Sequence, residues 1–216
     1  MDPFSILECL VLLAASCAGL IRYRRLGLSF RILTWSAVAV FTLTIIADIS
    51  SAIYRTNALV LQIECITQYV FYSLTYYFIF KNNLVKKAII ISVVVISALF
   101  FINGVFLQSF NKDFPTNIYI PTQILYAAFS LLLFKEMLMY PVRINIIKQS
   151  VFWYNTAILF YGTTMFFILG IYNYMAAHNL DDNFIFVFWY IIIYAFNILM
   201  CIALLTENKK NSPADA

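Results

Sequence analysis

Apolar and polar positions fall along this chain in long blocks. Seven apolar stretches, roughly 4–21, 30–54, 58–80, 86–108, 117–139, 149–176 and 184–206, are separated by short polar breaks such as "RYRR" after the first and "KNN" after the third. About 20 consecutive apolar residues in a helix cross ~30 Å of hydrocarbon with every backbone hydrogen bond kept internal. The pattern therefore predicts an all-α polytopic membrane protein: a single transmembrane domain of seven helices over residues 1–206, followed by a disordered cytoplasmic tail, 207–216, "ENKKNSPADA".

Charge fixes which way the helices run. Of the 14 Lys and Arg, all but Arg55 and Lys112 fall in the breaks or at the span ends that would face one side. By the positive-inside rule the N-terminus is expected outside and the C-terminus in the cytoplasm, in a multi-pass protein of the cell inner membrane. The outer breaks, around Lys112 and Asp113 and in "HNLDD" (His178 to Asp182), are neutral to acidic, in agreement. The segment "LLAASCAG" (Leu12 to Gly19) is similar to a lipoprotein cleavage site. Acids precede it and arginines follow it, however, which predicts a retained first helix.

Composition agrees, with 63% hydrophobic and 11% charged residues and a mean hydropathy of +0.87. The net charge of +4 belongs to topology, so no nucleic-acid partner is expected. Cys9, Cys17, Cys65 and Cys201 all lie in apolar stretches and are expected to pack as small hydrophobes. No break exceeds about fifteen residues, so any output passes through the bundle or through a membrane protein partner.

The candidate chemistry lies in the polar residues inside the spans. Glu8, Asp48 and Glu64 occupy the first three spans. Counted from the outer helix ends at 1.5 Å per residue, all sit about 6–9 Å into the outer leaflet. Glu64, Gln68, Tyr72 and Thr75 follow at spacings of 4, 4 and 3, which puts them on one helical face. A carboxylate at the bilayer centre costs about 2.5–3.5 kcal/mol on insertion scales, less near the interface, and is kept where it faces protein or water. That face is expected to look across at Gln123, Tyr172, Asn173, Trp189 and Tyr190, with Arg55 and His178 at the rim. The ligand-binding set is thus Glu64, Asp48, Gln68, Glu8, Tyr72, Asn173, Tyr172 and Trp189. Desolvation and like charge both penalise ionised carboxyls in such a layer, chemistry that suits proton coupling or cation binding. The alternative is glue: the same acids can hydrogen-bond neighbouring helices. The patch of Asn155, Tyr161, Gly162, Thr163 and Thr164 favours close helix packing over ligand contact, and Asn197 is open to both readings.

Several functions are excluded or disfavoured. Spans 6 and 7 hold no lysine for a retinal Schiff base, and one histidine, His178, cannot build a zinc site of the multi-histidine type. No Gly-rich phosphate loop, CxxC pair or Ser/His/Asp set stands out, so neither an enzyme nor a bound cofactor is expected.

Sliding the chain by 125 residues aligns Asp48 with Asn173, Leu74 with Leu199 and Asn83 with Asn208, a hint of a 3+1+3 repeat of two parallel triplets joined by the fourth span. Taken together, "IRYRR" after the first span, "QIECITQY" in the third and "FWYNTAILFYGTTMFF" in the sixth resemble a family of small seven-helix bacterial inner-membrane proteins to which no activity is assigned. That resemblance implies fold and location only. In topology alone the chain is similar to 3+1+3 sugar-efflux and PQ-loop transporters, although it has no PQ dipeptide and carries Tyr72 where the repeat sets Asn197. The expectation is a receptor or sensor-like protein that holds a small molecule or cation. A small-solute or proton-coupled transporter and a structural accessory subunit are the alternatives.

Overall fold

The computed structural model describes residues 3–108, 116–140, 145–178, 180–181 and 183–207. Lys112, Asp113, Arg143, Asn179, Asp182 and the tail from residue 208 onward, on which parts of the sequence reading rest, lie outside the described residues. Seven long helices carry the chain: α1 (Pro3–Arg22), α2 (Leu28–Tyr54), α3 (Ala58–Ile79), α4 (Asn83–Ile102, prolonged by a π-helical turn Asn103–Leu107), α5 (Thr116–Met139), α6 (Ser150–Ala177) and α7 (Asn183–Thr206). No strand occurs among the described residues. The connections are short where they are described. Arg55, in the left-handed region at φ 56°, closes α2 with its N–H on the Ser51 carbonyl, and Asn82 caps α4 by accepting from the Leu84 N–H at 2.9 Å.

Neighbours in sequence pack as neighbours in space. α1 lies between α2 and α7, α2 packs on α3, α5 on α6 and α6 on α7, so a ring closes in which α3 touches α5 lightly and carries α4 on its outside. Large apolar side chains such as Leu10, Ile91, Val94, Phe188 and Ile191 stand exposed on the outer surface, the area a bilayer would cover.

Six of the helices are long and apolar enough to cross a membrane; α3 is the exception among the expected spans. Its buried residues include Gln62, Glu64, Ser73 and Thr75 together with Tyr69, Tyr72 and Tyr76. A helix held among other helices does not have to be lipid-soluble on every side, and polar groups there find partners across the packing. Tyr69 and Tyr126 approach at 5.6 Å between ring centres, and the Tyr69 hydroxyl donates to Ser92 Oγ on α4 at 2.8 Å.

Two features draw α3, α5 and α6 together. A methyl group built on Gly162 would stand 3.0 Å from both the Gln123 carbonyl oxygen and Tyr126 Cβ, so α5 and α6 meet at the distance only glycine permits. Further toward the basic end, the Tyr76 hydroxyl donates to Asn155 Oδ1 at 2.8 Å and lies 2.6 Å from Ser130 Oγ. Asn155 Nδ2 donates to the Ser130 carbonyl at 2.9 Å, and the Tyr154 hydroxyl donates to the Tyr72 carbonyl at 2.9 Å. Asn155 and Gly162 thus serve packing, whereas Thr163 and Thr164 donate to carbonyls of their own helix.

At the basic end, Glu207, the residue that follows α7 and the first of the expected tail, is 2% exposed. Ser150 Oγ donates to its carboxylate, and Arg22 Nη2 donates to its backbone carbonyl at 2.7 Å, so α1, α6 and the end of α7 are tied at one residue. The four cysteines are free, with Cys65 buried as expected but Cys17 exposed on the outer surface.

Substitutions at three positions test this packing. Gly162→Val is expected to destabilise the bundle by about 1–3 kcal/mol through overpacking; unchanged unfolding in nanodiscs would mean the helices have room there. Tyr76→Phe leaves buried acceptors without a donor and is expected to cost about 1 kcal/mol. The losses for Tyr76→Phe and Asn155→Leu should be non-additive in a double-mutant cycle, and strictly additive losses would disprove the shared network.

Candidate functional site

Helical periodicity brings the acids to one place. On α1, Ser5, Glu8 and Leu12 are spaced by 3 and 4 and share a face; on α2, Val40, Thr44, Ala47 and Asp48 do the same. On α3 the sequence Asn57, Leu61, Glu64, Gln68 and Tyr72 advances by one turn at each step. These three faces line a cavity of about 360 Å³, closed on the other side by α7 through Ile185, Phe186, Trp189, Tyr190, Ile193, Phe196 and Asn197. Tyr161 and Tyr172 from α6 and Tyr119 from α5 complete the wall.

The cavity begins near the start of α7 at Ile185 and reaches Asn197, twelve residues or about 18 Å along the helix axis. Its deepest wall is aromatic. Tyr161 and Phe196 stand 4.5 Å apart between ring centres, and Tyr72 meets Phe196 at 5.8 Å and Tyr126 at 5.9 Å. Below these rings lies the satisfied knot of Tyr76, Ser130, Tyr154 and Asn155, which closes the cavity toward the basic end. Across the α1/α7 seam near the mouth, Phe4 stacks on Tyr190 at 5.3 Å, and the Tyr194 hydroxyl donates to the Phe4 carbonyl at 2.8 Å. The Tyr119 and Trp189 rings approach at 6.5 Å.

Glu64 is the most enclosed of the acids, only 9% exposed, and accepts from Gln68 Nε2 at Oε1 over 2.8 Å. This is the one-turn pairing that the spacing of 4 allows. Thr75, one face-step beyond Tyr72, is fully buried and donates to the Phe71 carbonyl at 2.9 Å; it does not reach the cavity.

Seven of the eight singled-out residues, Glu8, Asp48, Glu64, Gln68, Tyr72, Tyr172 and Trp189, line this one space. Asn173 does not, because adjacent residues on a helix point about 100° apart and Tyr172 takes the inward direction. Gln123 also stays out of the lining: it is 1% exposed, in the α5 segment packed on Gly162. His178 is exposed, with its ring against Tyr174 at 4.3 Å and Nδ1 at 2.8 Å from the Tyr174 carbonyl. Ser5, Thr44, Tyr119, Tyr161 and Phe196 were not singled out as ligand contacts. For the first two a signal existed, since Ser5 precedes Glu8 and Thr44 precedes Asp48 by one turn; an aromatic in so aromatic a chain carries none.

The lining offers carboxylates, amides, hydroxyls and ring faces. No group of three His, Cys, Asp or Glu side chains among the described residues comes together closely enough to hold a metal ion. Comparison of the chain with protein-family models, with curated proteins and with solved structures gives no match.

Proposed function

We propose that this protein is a membrane receptor or sensor-like component that holds a small molecule or cation in the acid-lined cavity and acts through a membrane protein partner. The observation that carries the reading is the cavity itself: three carboxylates from three helices around about 360 Å³, open toward one end and sealed by Tyr72, Tyr161 and Phe196 toward the other. A volume of that size is typical of small-ligand pockets, which run from about 300 to 1,000 Å³. The seal favours a receptor over a transporter, because Tyr76, Ser130 and Asn155 beyond it satisfy one another rather than facing an onward site. A partner is invoked because the breaks between the helices are too short to hold a signalling domain.

The cavity is placed at the external face of the cell inner membrane, with the N-terminus outside and the C-terminus cytoplasmic. Support comes from the basic residues: Arg22, Arg24, Arg25, Arg31, Lys81 and Lys86 cluster at the end opposite the acids. The pairing of α2 with α3 and of α6 with α7, with α4 outside the ring, is what a 3+1+3 arrangement would produce. Against it, α1 packs closely on α7 whereas α3 and α5 touch lightly, and Asp48 lines the cavity while its counterpart Asn173 does not.

A thermal-shift screen of purified wild type and Glu64→Gln across a metabolite panel tests the proposal. Compounds that bind should raise the unfolding temperature of wild type, by about 2.7 kcal/mol of stabilisation at a hundredfold excess over Kd, with the response lost or weakened in Glu64→Gln. Uptake of such a compound into proteoliposomes would make the protein a transporter instead. A Glu64→Gln protein that assembles poorly, with no compound distinguishing it from wild type, would reduce the carboxylate to helix glue.

A further inference from the structure

The chemistry of the cavity wall narrows the class of ligand. Glu8, Asp48 and Glu64 line it, and among the described residues no lysine, arginine or histidine does. Glu64, about nine-tenths buried, accepts one hydrogen bond, at Oε1 from Gln68, and no described residue donates to its Oε2. A largely enclosed carboxylate beside two further acids calls for a positive charge or a donor from the occupant.

The reach of the acids separates a bare ion from an organic one. They surround a common space without converging, since no three potential metal-ligating side chains among the described residues share a coordination point. An inorganic ion at one carboxylate would leave most of the cavity to water, room for about twelve molecules at ~30 Å³ each. Beyond a few polar groups, Ser5, Thr44, Gln68 and Asn197 among them, much of the remaining wall is aromatic, from the rings of Tyr72, Tyr161, Tyr172, Trp189, Tyr190 and Phe196. Aromatic faces carry negative electrostatic potential and attract ammonium groups, Trp most strongly, while they also cover apolar bodies. An anion would meet three carboxylates and no cation among the described lining residues. A neutral polyol would bring no charge to meet Glu64.

We infer that the cavity takes a small organic cation, an ammonium group on an apolar or aromatic body, with the charge held at Glu64 and the body against Tyr72, Trp189 and Tyr190. This assignment rests on the cavity being a binding site, as proposed above, and adds the charge and build of what binds.

The test uses the full chain in nanodiscs near neutral pH, with thermal unfolding as the readout. The cationic probes are 2-phenylethylamine and choline; 2-phenylethanol and phenylacetate share the ring of the first without its charge; sodium and calcium chloride stand for inorganic ions. The expected result is a saturable rise in unfolding temperature with at least one cationic probe and none with the alcohol or the acid at tenfold higher concentration. Glu64→Gln and Trp189→Leu should each weaken that response at least tenfold. Because the head-group comparison is made on wild type, a variant that fails to fold does not obscure it. An equal response to the alcohol or the acid, or a response to the inorganic ions with none to either amine, overturns the assignment while leaving a binding site. Silence of all six probes also overturns it, and the site itself falls only if the wider metabolite panel leaves wild type unshifted too.

Discussion

Hydrocarbon does not tolerate an ionised carboxylate, and most of this bundle's organisation can be derived from where that constraint puts Glu8, Asp48 and Glu64. Each belongs to a different helix, and each helix has only one face that keeps its acid from lipid. Turning the three faces toward a common axis fixes the rotation of α1, α2 and α3 and brings Ser5, Thr44 and Gln68 with them, one helical turn from each acid. Like charges do not pack against one another at close range without compensation. The space between them stays open, and α7, which has no acid among its described residues, closes it with rings. The cavity is thus a consequence of the acids' depth and separation.

A cavity weakens a bundle by the contacts it forgoes, and the compensation lies directly beneath it. Tyr76, Ser130 and Asn155 satisfy one another at full burial, and Gly162 lets α5 and α6 approach to backbone distance. Paired polar groups inside a membrane protein are modestly stabilising, about 0.6 kcal/mol each on average, but they specify geometry strongly because unpaired alternatives are costly. The Tyr154 hydroxyl bonds the carbonyl of Tyr72, a residue of the cavity wall. A displacement of α3 at Tyr72 therefore either carries α6 with it or breaks a buried hydrogen bond.

The sequence made the helices legible to within about three residues because bilayer thickness imposes a length that composition reports directly. The acid layer was legible too, since depth follows from residue counts once helix ends are known. What was hidden depends on rotation and on contact between distant segments. Asn173 and Tyr172 are adjacent in sequence, and only packing decides which one faces inward. Tyr161 and Phe196 form the cavity's deepest wall, yet nothing marks them among 21 phenylalanines and 15 tyrosines. The polarity of α3 was visible, but that it reflects enclosure by other helices appears only in the fold. Glu207 reads as the first residue of a polar tail, and its burial depends on Arg22 and Ser150, 185 and 57 residues away.

The two ends of the bundle are held by different kinds of contact. At the basic end Glu207 receives Arg22 on its backbone and Ser150 on its side chain, which joins α1, α6 and α7 through one buried residue. Hydrogen bonds with a charged partner are roughly twice as strong as neutral ones. At the other end, the contacts across the α1/α7 seam include a stacked pair, Phe4 on Tyr190, and a neutral hydrogen bond from Tyr194 to the Phe4 carbonyl. α1 is thus joined to α7 near both of its ends, by a guanidinium on a backbone carbonyl at Arg22 and by stacked rings at Phe4, so its position against α7 is fixed at two levels of the bundle.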